Sequence, residues 1–229
     1  MNLLAIETTT EACSVALLHG DQLLVRSEIA PRRHTALVLP MADELLAEAG
    51  ISRQALDVIA VGRGPGAFTG VRIGVAMAQG MALALDLPVV AVSSLAALAL
   101  EAEPDDAAIL AVIDARMGEI YAASYRRNAQ GGLDELSAEC VLKPDQLRLP
   151  QAPVWRVVGS GWTTYADILR THLTGTLRTA DGERYPQAAR IAELAVPEFL
   201  AGHAVAAELA LPVYLRDKVA LTLAEQKHH

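Results

Sequence analysis

The alternation of apolar and polar positions divides the chain into short strands and longer helices. Three apolar or alternating runs predict strands over residues 2–6, 12–18 and 22–29, joined by polar turns. An amphipathic pattern predicts a helix over 34–50, with a kink at Pro40 because proline removes a backbone hydrogen bond. A strand over 89–92 and a helix over 93–100 close this half of the chain. A polar, proline-containing stretch follows and predicts a domain boundary.

A glycine-rich stretch within this half, residues 57–85, combines a strand (58–61), a turn (62–70) and a helix. The turn lacks the Lys-Ser/Thr of a P-loop and fits a dinucleotide fingerprint only loosely. Backbone N–H groups at such a turn suit an anion, and glycines also permit close packing. The sequence leaves both interpretations open.

The helix after this turn is apolar on almost all sides. Gly70, Gly74, Ala78 and Ala82 form a ridge of small residues, which permits close backbone approach. One side must cover the chain's own sheet, while the other is covered either by the rest of the chain or by another subunit. Arg72 and Gln79 and the short length argue against a transmembrane segment.

Beyond the boundary the pattern of the first half recurs. The segment AVID (111–114) matches LAIE (4–7), with the acid at the same place, and a return strand follows each. A strand over 155–159 and helices over 161–172 and 186–201 are predicted further along, after a proline-rich connection at 144–153. Two related α/β units with mixed sheets, 1–103 and 104–229, are typical of the actin-like ATPase superfamily. The tail that begins at 211 is expected to pack back on the first unit.

Composition narrows the class of protein. The chain has 229 residues, 52 % of them hydrophobic and 4 % aromatic, which indicates a globular protein with an aliphatic core. Its net charge of −8 disfavours unaided binding to a nucleic-acid backbone. Two distant thiols, Cys13 and Cys140, and an apolar strand at the start favour the cytoplasm, with no membrane attachment. The final His228 and His229 resemble the end of an expression tag, and the sequence does not decide whether they are native.

Candidate chemistry is sparse in this sequence. It contains no HxxxH, HExxH or CxxC motif, so no metal site is expected. His34, at a helix start, is interpreted as a cap or packing residue rather than a base. Asp114 and Arg116 form the best charged cluster, for which a structural ion pair accounts equally well. Glu7 either caps a turn or, as in one nucleotide-binding superfamily, holds a hydrated metal and phosphate.

Four segments together resemble the TsaB family, also called YeaZ. They are LLAIETTTEACSVAL (3–17), GRGPGAFTGVRIG (62–74), DARMGEIY (114–121) and PVYLR (212–216). The resemblance implies an actin-like (ASKHA, ribonuclease H-like) fold and a noncatalytic role. In the related TsaD proteins a metal-binding HxxxH follows the strand that corresponds to 89–92. Ser94 and Leu98 stand at the two histidine positions here, and neither can ligate a metal as imidazole does.

The resemblance also implies partners. TsaB proteins pair with TsaD, which transfers threonylcarbamoyl to N6 of adenosine 37 in tRNAs that read ANN codons, and the ATPase TsaE joins them. This chain would need no cofactor alone, the complex would use ATP, and tRNA would be reached only through the complex. Without TsaD the same helices would pair with a second copy by a two-fold axis. Occupancy of the groove by a nucleotide in the complex, the TsaE stoichiometry and direct tRNA contact stay open.

Two sets of residues follow from these expectations. The partner-binding set lies on two helices of the first half that are expected to form a four-helix bundle with the partner: Leu37, Val38, Met41, Leu45, Val71, Arg72, Val75, Ala78 and Gln79. Val75→Glu or Ala78→Arg is therefore expected to abolish pairing and leave the fold intact. The vestigial nucleotide site comprises Glu7, Thr8, Thr9, Gly64, Gly66 and Asp114.

Two alternative functions compete with the noncatalytic role. An actin-like phosphotransferase would use Glu7, Asp114 and the glycine loop. A peptidase ranks lower, because neither a nucleophile elbow nor a Cys/His pair is present.

Overall fold

The computed structural model describes residues 1–216, and the terminal His228 and His229 lie outside the described residues. Within these residues, ten strands form two five-stranded mixed sheets with the same internal order. The first sheet has the order β3-β2-β1-β4-β5 and contains β1 Asn2–Glu7, β2 Ala12–His19, β3 Gln22–Ile29, β4 Val58–Gly62 and β5 Val89–Val92. The second has the order β8-β7-β6-β9-β10 and contains β6 Ala108–Arg116, β7 Glu119–Arg127, β8 Leu133–Leu142, β9 Trp155–Val158 and β10 Leu177–Asp181.

Strand direction repeats between the sheets as well. In the first sheet β1 pairs with β2 antiparallel and with β4 parallel, while in the second β6 pairs with β7 antiparallel and with β9 parallel. The acids that mark the repeat, Glu7 and Asp114, lie at or near the ends of β1 and β6. The structure therefore confirms the internal repeat that the sequence indicated.

The described residues contain five α-helices: α1 His34–Ala49, α2 Phe68–Leu85, α3 Ser94–Ala99, α4 Ser160–His172 and α5 Ala188–Leu200. All five match helices that the pattern predicted, and α1 includes Pro40 within its span. No helix is described between β8 and β9, where the first unit has α1. A 3-10 turn at Pro144–Gln146 and an irregular segment take its place, since Pro150 and Pro153 disfavour a helix there.

Each face of the first sheet has its own core. Alternate residues of β1 and β2, such as Ile6 and Val15, pack under α1 and α2, while Ala5 and Ala16 pack under α5 on the opposite face. The 3-10 turn at Ala207–Leu209 adds Ala207 to the first of these cores. Consequently α5, which lies late in the sequence, completes the core of the early sheet.

The two halves exchange helices across the predicted boundary. That boundary, between residues 103 and 104, falls between α3 and β6. Helix α3 packs on the second sheet through Leu95 and Leu98, whereas α5 packs on the first sheet and also contacts α3. Because each sheet is covered partly by a helix from the other half, the cores of the two halves depend on each other.

Within residues 1–216, helix α2 alone has the length and apolar composition that could span a membrane, with a mean hydropathy of 1.4. Packing accounts for part of this character, since Val71, Val75, Ala78 and Ala82 are buried against the sheet. Only a third of the helix is buried, so its other side is not covered by residues 1–216.

Candidate functional site

The glycine-rich loop after β4 packs directly against the turn between β1 and β2. A Cβ at Gly62 would overlap Oε2 of Glu7, and a Cβ at Gly66 would overlap the carbonyl oxygen of Thr9. That same oxygen accepts a hydrogen bond from the backbone N–H of Ala67 at 2.7 Å. The glycines are therefore needed for close packing, because the chain's own atoms occupy the space that side chains would fill.

Glu7 is completely buried at the centre of this packing. Its Oε1 accepts a hydrogen bond from the backbone N–H of Thr9 at 2.6 Å, and its Oε2 accepts one from the hydroxyl of Ser94 at 2.8 Å. Burial raises the pKa of the Glu7 carboxyl, and these hydrogen bonds only partly oppose that shift. Glu7 thus ties the β1–β2 turn to the start of α3 and does not line a cleft.

A groove of about 480 Å³ separates the two halves at the carboxyl ends of their central strands. The first half contributes Thr9, Thr10, Glu11 and the start of α2, while the second contributes residues from β6, α4 and the 182–185 turn. Residues 213–216 of the C-terminal segment close one side. This is the position at which α/β folds of this kind place ligands.

Ion pairs at the groove involve most of the charged side chains that line it, and one of these pairs joins the two halves. Asp114 accepts hydrogen bonds from the backbone N–H of Arg116 at 2.8 Å and from its guanidinium at 3.0 Å. The same guanidinium reaches Glu11 of the first half at 2.9 Å, and Arg216 pairs with Glu119. The structure therefore bears out the Asp114–Arg116 ion pair, and Arg116 also bridges the two halves through Glu11.

The six residues of the predicted nucleotide site are only partly brought together. Thr9, Gly66 and Asp114 line the groove, whereas Glu7, Thr8 and Gly64 do not. The hydroxyl of Thr8 donates to the carbonyl oxygen of Gly70 at 2.8 Å, and Gly64 packs against Val71. With Glu7 buried, Asp114 paired with Arg116 and the glycine loop filled by the β1–β2 turn, this set does not fit a metal-bound nucleotide phosphate.

Positions 94 and 98, which the family resemblance matched with the histidines of TsaD, are buried inside the fold. Ser94 donates to Glu7, and Leu98 belongs to the core between α3 and the second sheet. Among the described residues, no group of three His, Cys, Asp or Glu side chains is arranged to hold a metal ion. His34 is also buried, and its Nε2 lies 2.9 Å from the carbonyl oxygen of Thr10, in keeping with a packing residue.

The structure corrects the predicted partner-binding set. Six of its nine residues are buried in the core of the first half and cannot contact a partner: Val38, Met41, Leu45, Val71, Val75 and Ala78. Leu37 is partly buried against the same core, and the Gln79 side chain donates to the carbonyl oxygen of Ala210 at 3.0 Å. Only Arg72 is exposed. The helices were identified from their apolar pattern, but the ridge chosen on each faces its own sheet.

The uncovered side of α2, here called the α2 outer face, carries a different set of residues. It consists of Thr69, Arg72, Ile73, Ala76, Met77, Gly80 and Leu83, all exposed or partly exposed. A shallow depression on it is bordered by Thr35 of α1 and Phe68. Arg72 is the one charged residue of the helix, and apart from Arg72 and Thr69 the residues of this face are apolar or glycine.

A cluster of three exposed side chains at one end of this face was not identified from the sequence. The guanidinium carbon of Arg72 lies 3.6 Å from the centroid of the Phe68 ring and 5.4 Å from that of Tyr214. Nε of Arg72 donates to the Tyr214 hydroxyl at 2.7 Å. Tyr214 is distant in sequence, and no periodicity connects it with α2; only the segment 212–216, quoted above for the family resemblance, marked its neighbourhood.

Comparisons with known proteins identify the family. A family model described as TsaD, tRNA N6-adenosine threonylcarbamoyltransferase, matches residues 25–222. The tRNA threonylcarbamoyladenosine biosynthesis protein TsaB of Escherichia coli strain K12 is 43 % identical over 226 residues, which cover 96 % of each chain. The chain belongs to the TsaB family.

Other relatives agree with this assignment. TsaB of Haemophilus influenzae is 40 % identical and covers 96 % of this chain and 95 % of its own. A solved structure of YeaZ from Pseudomonas aeruginosa, 43 % identical, superposes with a TM-score of 0.85 over 93 % of this chain and 99 % of its own. The two mixed-sheet halves are thus those of the TsaB branch of the actin-like fold.

Proposed function

We propose that this chain is a noncatalytic subunit in the biosynthesis of threonylcarbamoyladenosine in tRNA. In this proposal it binds and stabilises a TsaD-type paralogue, which transfers threonylcarbamoyl to N6 of adenosine 37 in tRNAs that read ANN codons, and TsaE joins them. The names of the TsaB relatives and the match to the TsaD model support the pathway. The tRNA modification would take place in the cytoplasm. The complex would use ATP, and this chain alone would hold no cofactor.

The state of the candidate reactive groups supports a noncatalytic role. Glu7 is buried and hydrogen-bonded, and Asp114 is engaged by Arg116. Ser94 and Leu98 are core residues that cannot reach a ligand. These contacts stabilise the fold, and none of the four residues is arranged as a free acid, base or nucleophile at the groove.

The single observation that carries the proposal is the α2 outer face. It is mostly apolar and is not covered by the described residues, and its small residues Ala76 and Gly80 would allow a partner helix to approach closely. Contiguous exposed apolar surface of this kind marks sites of protein association. In the absence of the paralogue, the same face would pair with a second copy of this chain. The net charge of −8 fits a subunit that leaves tRNA contact to its partners.

A substitution on this face tests the proposal. Ala76→Glu places a charge in the contact, and we expect it to raise the Kd for the TsaD paralogue at least about tenfold, since burying an unpaired charge is costly. Ala76 is exposed, so the stability of the isolated chain should change by no more than about 0.5 kcal/mol. Binding is measured by calorimetry, and transfer by a tRNA modification assay with TsaD and TsaE.

Leu200→Glu is the matched control. Leu200 is 74 % exposed on α5, which covers the opposite face of the first sheet, so the variant should bind like the original chain. Undiminished binding by Ala76→Glu would place the contact elsewhere, and transfer by the isolated chain would refute a noncatalytic role. Sub-millimolar binding of Mg-ATP by the chain alone would instead favour the phosphotransferase alternative.

Substitutions at the buried positions Val75 and Ala78 do not test partner binding. Val75 is 4 % exposed and Ala78 fully buried, so a charge at either would lie in the core of the first half. Such a substitution is expected to unfold the chain rather than to abolish pairing selectively.

A further inference from the structure

The α2 outer face carries one cation, and its surroundings fix that cation in place. Arg72 is stacked on Phe68 and lies beside Tyr214, whose hydroxyl accepts the hydrogen bond from Nε. The two rings are 5.7 Å apart and inclined by 38°. Stacking and the hydrogen bond together restrict the rotamers of a long side chain, so less entropy is lost when the guanidinium binds a further group.

Hydrogen bonds of the residues on either side of Tyr214 hold it in position. The backbone N–H of Val213 donates to the carbonyl oxygen of Arg63 in the glycine loop at 2.9 Å. On the other side of Tyr214, the guanidinium of Arg216 donates to the carbonyl oxygen of Ala115 at 3.1 Å and pairs with Glu119. The C-terminal segment therefore positions Tyr214, and through it Arg72.

The terminal nitrogens of this guanidinium have no partner in the part of the chain that the structure describes. Among residues 1–216, neither Nη1 nor Nη2 of Arg72 has a hydrogen-bond or ion-pair partner. By contrast, Nε donates to Tyr214 and the face of the guanidinium stacks on the Phe68 ring. They lie on the surface where a partner helix is proposed to pack. A planar pair of N–H donors in a fixed orientation is suited to a carboxylate.

The chain's own helices do not supply that carboxylate. Helix α2 has no acidic residue, and the three acids of α1 are already paired: Asp43 with Arg53, and Glu44 and Glu48 with Arg26. In a symmetric contact each copy would bring its own Arg72 to the same surface, and like charges would repel.

We propose that Arg72 is a specificity-determining residue of the α2 outer face, which selects a partner helix that bears a carboxylate within an apolar surface. This inference rests on the proposed function and specifies the chemistry of the partner. The pairing of Arg72 with that carboxylate favours the heteromeric complex over association of the chain with itself. Phe68 and Tyr214 act as positioning residues for the guanidinium.

Two dissociation constants test this inference. Binding to the TsaD paralogue is measured by calorimetry and self-association by sedimentation equilibrium, each at about 0.05 and about 0.5 M NaCl. Arg72→Leu keeps the apolar area and removes the charge. We expect it to weaken the heteromeric complex at least about tenfold at low salt and to remove most of its salt dependence. Self-association should be unchanged or tighter.

Arg170→Leu is the matched control, because Arg170 is also exposed and stacked, 5.1 Å from the centroid of Trp162 on α4. It should alter neither constant. Arg72→Lys keeps the charge without the planar fork, and an intermediate loss is expected.

The outcomes separate this inference from the proposed function. If Ala76→Glu weakens the heteromeric complex but Arg72→Leu binds within about twofold of the original chain, the proposed function stands and the role of Arg72 is refuted. An equal loss of hetero- and self-association in Arg72→Leu would also refute selectivity. If the original chain does not bind the paralogue at all, both proposals fail.

Discussion

Two glycines on helix α2 offer a direct test of the packing described above. Gly70 faces the β1–β2 turn, whereas Gly80 faces outward, and neither has a positive φ. A Cβ at Gly70 would overlap the carbonyl oxygen of Thr8 and lie 3.3 Å from its carbonyl carbon, but a Cβ at Gly80 would meet nothing within 4 Å. The same substitution, Gly→Ala, is therefore expected to have opposite effects at the two positions.

The magnitudes follow from two opposing terms. Alanine is favoured over glycine inside a helix by about 1 kcal/mol, and Gly80→Ala should gain most of this. Overpacking at Gly70 costs about 1–3 kcal/mol and should reach the upper end, because the atom that must move is backbone. The Thr8 hydroxyl also bonds the carbonyl oxygen of Gly70 at 2.8 Å, which resists separation. Gly70→Ala is thus expected to lose about 2 kcal/mol net.

Urea unfolding followed by far-UV circular dichroism measures both effects. The midpoint should rise for Gly80→Ala and fall for Gly70→Ala. Since Gly80 lies on the α2 outer face, the measurement is repeated at two protein concentrations to separate helix stability from self-association. A neutral or stabilising Gly70→Ala would contradict the close packing of α2 on the β1–β2 turn.

Two further predictions concern acids whose pKa values are shifted in the fold. Burial raises the pKa of Glu7, so the stability of the native chain falls as the pH rises from the ordinary pKa of a glutamate to the raised pKa. Glu7→Gln does not titrate, so its free energy of unfolding in urea should increase relative to that of the original chain over this pH range. The hydrogen bond from Arg156 lowers the pKa of Asp105 to about 2, so Asp105→Asn should cost about 2 kcal/mol near neutral pH. Its deficit should disappear as the pH falls towards about 2.

The sequence predicted most of the core strands because their burial determines their composition. Strands β1 and β4 are flanked on both sides by other strands, and β5 is at the sheet edge but mostly buried; each contains an unbroken apolar run of four residues. The edge strands β8 and β10 were not assigned. Both are mostly half-exposed and mixed in composition, so their pairing depends on a neighbouring strand rather than on their own pattern.

The candidate interface shows a different limit of sequence reasoning. Periodicity groups the residues of α2 into ridges, but it does not say which ridge faces the sheet. Val75 and Ala76 are adjacent and both apolar, and only the rotation of the helix makes one core and the other surface. The Phe68–Arg72–Tyr214 cluster joins segments 142 residues apart and has no local signal.

The glycine loop fixes the rotation of α2 about its own axis. This connects the glycine-rich sequence motif with the α2 outer face, the proposed partner surface. Gly66 and Gly70 approach Thr9 and Thr8 so closely that the first turns of the helix can sit in only one orientation on β1. From that orientation the 3.6-residue period places Ala76 outward. In the proposed complex the glycine loop would then set the rotation of α2 about its axis, so that the α2 outer face points to the partner, rather than bind an anion. Gly70→Ala should accordingly weaken partner binding as well as stability, although Gly70 itself is buried.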